Sequence, residues 1–333
     1  MGAVRTAVGA VRAAVVAVRT AAAAPTTGVG PRVAVARTSR SLSPRPAAPR
    51  QANTGVASFV VAEAPKYANA EAPHPQLPVA QRIRLRYAKR GRMRFTSHRD
   101  IGRALERAVR RAAVPIAFSS GFSPHPRISY LGAAPTGAAS EAEYAEIALT
   151  EEWSPDDVRT ALDAALPDGL DVVDAVVAGA GSLADRIEAS VWDVTLLDVP
   201  LAELTTAASA FAARDVVEVS RMTKKGLRTF DCRSAVVHID LRACADGDVG
   251  EPCAILQVVL RHGTPSVRPD DVLAGLGDVA GLRPQVPPLL NRVAQGPLDT
   301  QTGTVGDPLA PDRDTSAVPR DGHVDRGGEA TAR

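Results

Sequence analysis

Two histidines sit among cations in one short stretch of this 333-residue chain. His98 lies in Ser97-His98-Arg99-Asp100, and His125 lies between Pro124 and Pro126 in the run SGFSPHPRIS. An imidazole flanked by guanidinium groups can contact a phosphate. It can also take a proton from a ribose hydroxyl while the cations stabilise the charge that develops. Asp100 is the third candidate for such chemistry. A surface histidine that only makes hydrogen bonds is the plainer reading of His98, and structural or binding roles outweigh catalysis there. Around His125 the two prolines fix the backbone, and Gly121 permits a tight turn or close ligand approach. An ordinary proline-rich loop has the same composition. The two histidines share a site only if that loop folds over the start of the helix that Ser97 opens.

Cations dominate the surroundings. From Arg82 to Arg127 there are thirteen Arg or Lys and two acids, Asp100 and Glu106, in a chain whose net charge is +2. Arg82, Arg84, Arg86, Arg92 and Arg94 alternate with apolar residues, so they are expected on the outward face of a strand or ribbon. Arg99, Arg103, Arg107 and Arg111 recur every four residues, as a stripe beside the apolar face of a helix. Arg127 adds a charge to the His125 loop. A second basic group, with Lys224, Lys225 and Arg228, surrounds an expected hairpin turn; such a turn is usually just solvated. Together these residues make a candidate surface for phosphates. Phe95, Phe118, Phe122 and Tyr130 are candidate stacking residues, although aromatics in strands more often belong to a core.

The elements that must position these groups can be read from periodicity. Residues 82–87 and 92–95 alternate as strands. Ser97, with Asp100 three residues on, opens a helix whose apolar stripe is Ile101, Ala104, Leu105, Ala108, Val109 and Ala112, and Val114-Pro115 ends it. Strands are expected at 116–119, 128–131, 143–149 and 170–177, with a helix at 155–166. A second set follows: strands at 190–197, 216–221, 229–241 and 254–260, helices at 201–213 and 269–276. The order suits an α+β fold, a ferredoxin-like split βαβ sheet with helices on one face, in two tandem units. The expected divisions are a disordered extension over 1–80, a basic domain over 81–180, a second subdomain over 181–284 and a disordered tail over 285–333, which lacks apolar periodicity.

Composition narrows the function classes. The first stretch is rich in Arg and poor in acids, as transit peptides are, but arginines at 5, 12 and 19 interrupt any apolar core. It reads as a low-complexity extension. No run of eighteen apolar residues occurs, so the expectation is a soluble, cytoplasmic protein with no membrane partner. Cys232, Cys244 and Cys253 are widely spaced and form no CxxC pair, which indicates neither a disulfide framework nor a zinc site. No metal site is expected from His98, His125, His238 and Asp231. Walker, dinucleotide, zincin and serine-hydrolase motifs are absent.

The stretch Arg94-Phe95-Thr96-Ser97-His98-Arg99-Asp100, the following ALERAVRRAAVPIAFSSGFSPHPRIS and the later PTGAASEAEY resemble the radical SAM-linked domain family of bacteria. In many bacteria a similar domain is fused behind a B12-binding radical SAM protein, and in others it stands alone. The likeness is strongest over residues 82–150 and extends to about 276 through KKGLRTFDCR and VRPDDVLAGL. Arg99 departs from the pattern, where an apolar residue is expected between His98 and Asp100. The resemblance implies an accessory role beside a separate radical SAM protein. That partner would carry the 4Fe-4S cluster, SAM and, where it is of the B12-binding type, cobalamin; no cofactor is expected in this chain. Three readings remain open. The first is a non-catalytic subunit that binds tRNA or rRNA and presents it for modification. The second is a metal-independent RNA-processing enzyme using His98. The third is a protein-docking module.

Overall fold

Alternation builds the first strand, β1 (Gln81–Lys89): Ile83, Leu85 and Tyr87 point to one side and are buried. The computed structural model describes residues 77–223, 226–244 and 252–316, so the expectations for residues 1–76 and 317–333, and for Lys224 and Lys225, lie outside the described residues. After β1 come α1 (His98–Arg111), β2 (Ile128–Leu131), β3 (Ala139–Leu149), α2 (Pro155–Ala165) and β4 (Leu170–Val177). The second set is β5 (Ala189–Leu196), α3 (Leu201–Ala212), β6 (Glu218–Thr223), β7 (Gly226–Asp231), β8 (Val236–Ala243), β9 (Ala254–Arg261), α4 (Pro269–Ala280) and β10 (Leu289–Gly296), followed by α5 (Ala310–Ser316).

The class is α+β. One eight-stranded sheet runs β4-β1-β3-β10-β5-β9-β8, with β2 beside β3, and β6-β7 form a separate ribbon. Every pair is antiparallel except the seam, where β10 runs parallel to β3 through Asn291 opposite Ala139 and Arg292 opposite Ser140. In the first half, Ile83 and Leu85 pack against Ala108 and Val109 of α1 and Val158 and Leu162 of α2. In the second, Val194, Leu196 and Leu256 pack against Leu204 and Phe211 of α3 and Val272 and Leu276 of α4.

Several expectations change. The segment 92–95 is a 3₁₀ turn over Gly91–Phe95, not a strand, and residues 116–119 contribute only isolated bridges at Ile116 and Phe118. The expected tail contains β10 and α5. Strand β10 escapes a period-two reading because its inward residues are polar: Arg292 and Gln295 are buried at the seam. Cys244 and Cys253 form a disulfide between the end of β8 and the start of β9, which their wide spacing argues against. Among the described residues no helix is long and apolar enough to cross a membrane.

Candidate nucleic-acid interface

Helix α1 starts where a serine can satisfy its first amides. Ser97 Oγ accepts from the Asp100 amide at 3.3 Å and donates to Asp100 Oδ2 at 2.7 Å. Ile101, Ala104, Leu105, Ala108 and Val109 are buried, which turns the arginines outward. Arg99, Arg103, Arg107, Arg110 and Arg111 are all exposed. The i to i+4 spacing sets successive guanidinium stems about 6 Å apart along the axis, and the row from Arg99 to Arg111 is about 18 Å long. Arg103 meets Asp100 at 3.5 Å, and Arg111 donates to the Ala165 carbonyl at 3.0 Å. Among the described residues Arg92, Arg99, Arg107 and Arg110 meet no carboxylate. Arg110 belongs to this surface although the four-residue period alone does not single it out.

This arrangement works against the helix itself. Like charges at i and i+4 cost an isolated helix about 0.2–0.5 kcal/mol per pair. Arg99 stands in the first turn, where the helix dipole disfavours a cation. An anion lying along the stripe would offset both terms.

Of the β1 arginines only Arg82 is exposed; Arg84 is buried and Arg86 half-buried, contrary to the alternation argument. β1 is an inner strand, and its second face is covered by residues 178–187 and α5, with Leu183 and Leu309 packed on Ala142, Tyr144 and Val176. Arg84 is 2% exposed and bonds Asp312, Glu146 and the Gly181 carbonyl. Arg82 bonds Glu146 at 3.0 Å. Arg86 is half-buried beside Tyr144, whose hydroxyl burial pushes up to about 12, and Arg86 Nε has no hydrogen-bond partner among the described residues. A cavity of about 470 Å³ opens here, lined by Arg82, Arg84, Ser129, Leu131, Glu146 and residues 178–184 without Ala180. Its cations are already neutralised by carboxylates.

Of the remaining candidates, Arg94 is half-buried and donates to the Gly137 carbonyl at 2.9 Å, Arg127 is half-buried, and Arg228 is exposed on the β6-β7 ribbon of the other half. His98 is exposed and stands edge-on to Tyr130, ring centroids 5.2 Å apart. Tyr130 lies in β2 and donates to the Gly102 carbonyl at 3.4 Å. His125 is exposed in the loop before β2, held through its backbone: its amide donates to Ser119 Oγ at 3.1 Å and its carbonyl accepts from the Ser119 amide at 2.9 Å. Pro126 is buried and bridges Phe118, Pro124 is half-buried, and Gly121 has φ +117°, a conformation open to glycine. His98 thus has Tyr130 of β2 as its ring neighbour, whereas His125 is bonded through its backbone to Ser119. Asp100 is occupied as part of the Ser97 cap. Among the described residues no group of three or more His, Cys, Asp or Glu is placed to hold a metal.

The sequence reading missed a sealed polar cluster at the seam. Arg292 pairs with Glu143 and donates to the Gly132 carbonyl at 2.5 Å and to Ser140 Oγ at 3.3 Å, while its guanidinium lies 5.5 Å from the Trp192 ring. Lys89 donates to the Pro135 carbonyl at 3.1 Å, and burial lowers its pKa, with Glu143 opposing and Arg292 reinforcing the shift. Lys89, Ser140, Glu143, Arg292 and Gln295 are each at most 4% exposed, so the cluster joins the halves and offers nothing to a ligand. The alternation of residues 143–149 is visible in the sequence, but Arg292, the ion-pair partner of Glu143, lies in the expected tail.

A family model described as "Uncharacterized protein conserved in bacteria (DUF2344)" matches residues 82–269. No curated protein matches. Among solved structures, a crystal structure of an unknown protein from Galdieria sulphuraria is 12% identical, covers 64% of this chain and 98% of its own, and has a TM-score of 0.21.

Proposed function

This chain belongs to the bacterial family DUF2344, and we propose that it is a non-catalytic RNA-binding protein that presents tRNA or rRNA to a separate radical SAM enzyme. The observation that carries the reading is the α1 stripe, a row of exposed arginines that weakens its own helix and in which Arg99, Arg107 and Arg110 meet no carboxylate among the described residues. Such a row is suited to phosphates, which fix register without reading sequence. The radical SAM association rests on the resemblance of RFTSHRD, GFSPHPRIS and PTGAASEAEY to the radical SAM-linked domain. On that reading the cluster, SAM and any cobalamin belong to the partner. Binding is favoured over RNA cleavage because His98 has one aromatic neighbour, Asp100 serves the cap, and His125 is positioned by a different loop.

The test is titration of tRNA and rRNA fragments at several salt concentrations. Four phosphate contacts on a single strand give a slope of log K against log salt of about −3. Undetectable or salt-independent binding overturns the reading. Co-purification of a radical SAM protein that survives nuclease treatment, without RNA affinity, would instead make this a protein-docking module.

A further inference from the structure

Five phenylalanines fall among the described residues, and they divide by half. Phe211 and Phe230 of the second half are buried, at 0% and 8% exposure, whereas Phe95, Phe118 and Phe122 of the first are 67%, 36% and 82% exposed. The exposed three flank α1. Phe95 precedes the Ser97 cap by two residues, and Phe118 and Phe122 lie in the loop that leaves the other end of the helix. The core of the first half is built without phenylalanine, from Ile83, Leu85, Val109, Leu162 and their neighbours.

A ring this exposed gains little from folding, because its apolar area stays in water. Phe95 also has a cation set behind it. The Arg94 guanidinium carbon lies 5.3 Å from the ring centroid. That guanidinium is held by the Gly137 carbonyl at 2.9 Å, and the Gly137 amide donates back to the Arg94 carbonyl at 2.7 Å. The ring therefore has a fixed cation on it and most of its surface in solvent. Aromatic rings interleaved with cations are the usual platform for unpaired nucleobases, whereas bases in a duplex are already stacked on each other.

We propose that α1 takes single-stranded RNA, with bases stacked on Phe95 and Phe122 and the intervening phosphates on Arg99, Arg103 and Arg107. This rests on the RNA-binding reading above and names its substrate class: loops, bulges or ends.

The experiment measures the affinity of the full chain for a labelled single-stranded oligonucleotide and for the blunt duplex of the same sequence. Phe95→Ala, Phe122→Ala and Phe95→Trp are compared with wild type, each checked for an unchanged unfolding midpoint. The single strand is expected to bind at least about ten-fold tighter than the duplex. Each alanine is expected to cost it about ten-fold, in line with one missing base stack. Duplex affinity stays unchanged in those variants, and Phe95→Trp retains tight binding. Equal affinity for duplex and single strand, or an alanine pair that binds the single strand normally, overturns the stacking assignment and leaves RNA binding in place. If wild type binds neither form, both fall together.

Discussion

Arg84 and Asp312 lie 228 residues apart in the chain and are joined by two hydrogen bonds, from Nη1 to Oδ1 at 2.7 Å and to Oδ2 at 2.9 Å. Both side chains are removed from water, at 2% and 0% exposure. Asp312 also accepts from Arg186 Nη1 at 2.9 Å and from the Gly179 amide at 3.0 Å. The carboxylate thus ties β1 to α5. It is also the reason Arg84 can be buried on the arginine face of β1. A buried guanidinium needs its charge matched and its donors filled, and α5 delivers the matching group.

Replacing Asp312 by Asn keeps the volume and removes the charge, leaving Arg84 buried without its main counter-ion. The expected loss is about 3–5 kcal/mol of unfolding free energy, read by urea denaturation. The Arg84→Met/Asp312→Leu pair is expected to lose less than Asp312→Asn alone, since it leaves no orphaned charge at β1. The pH dependence has a definite sign. Burial raises the Asp312 pKa, but hydrogen bonds from Arg186, Arg84 and the Gly179 amide outweigh it and hold the carboxyl below its ordinary value. A depressed folded pKa gives stability that is complete above the unfolded value, about pH 4, and is lost as pH falls through the folded pKa. The difference between wild type and Asp312→Asn should be flat above about pH 4 and shrink below it. A difference that grows on acidification would contradict the assignment.

What could be read from sequence was whatever depended on a pattern repeating within one element. The cap at Ser97, the apolar stripe of α1 and strands such as β4, expected and found at Leu170–Val177, follow from periods of 3.6 and 2. What could not be read was what covers each face. The alternation of Arg82, Arg84 and Arg86 is the same whether water or α5 lies above it. Strand β10 hid for the complementary reason. It fills an interior seam with Arg292 and Gln295, so polarity there signals a partner, Glu143, and not solvent. The basic helix surface was legible because Arg99, Arg103, Arg107 and Arg110 stay exposed in the fold.

Arg292→Ala should therefore act as a core mutation despite its polarity. It leaves Glu143, at 1% exposure, beside Lys89 alone, and the expected cost is about 3–5 kcal/mol. Arg292→Met/Glu143→Gln should recover part of that stability by removing the stranded charge. A chain ended after residue 284 loses the fourth strand of the second half and the seam with β3, and it should show no cooperative urea transition. A cooperative transition in that truncation would mean the seam is dispensable.

The cysteines make a prediction readable by mass. Cys244 and Cys253 are joined, and Cys232 is buried, its thiol pushed up to about 12 by burial and the nearby Asp231 and Asp271 carboxylates. Without reductant, native protein should take up no iodoacetamide. After mild reduction it should take up two equivalents, and the third only on unfolding. Opening so short a loop should cost about 2–3 kcal/mol. Labelling of two thiols before any reductant is added would show that the pair is not joined in solution.

The two sets of arginines should separate cleanly when charge is reversed. Arg107→Glu and Arg110→Glu touch exposed residues with no carboxylate partner among the described residues, so the unfolding free energy should change by about 0.5 kcal/mol or less. RNA affinity should fall, and the slope of log K against log salt should flatten by about 0.7 for each single-strand phosphate that is no longer held. Arg84→Glu should do the reverse. It sets a third acid against Asp312 and Glu146 in a buried site and unfolds the protein, whereas Arg84→Met with Asp312→Leu should keep RNA affinity within about two-fold at low salt if β1 makes no phosphate contact. The outcome that breaks this division is a folded Arg84→Met/Asp312→Leu protein that no longer binds RNA. That would place the phosphate contacts on β1, beneath α5, and the α1 stripe would then be no more than a solvated face.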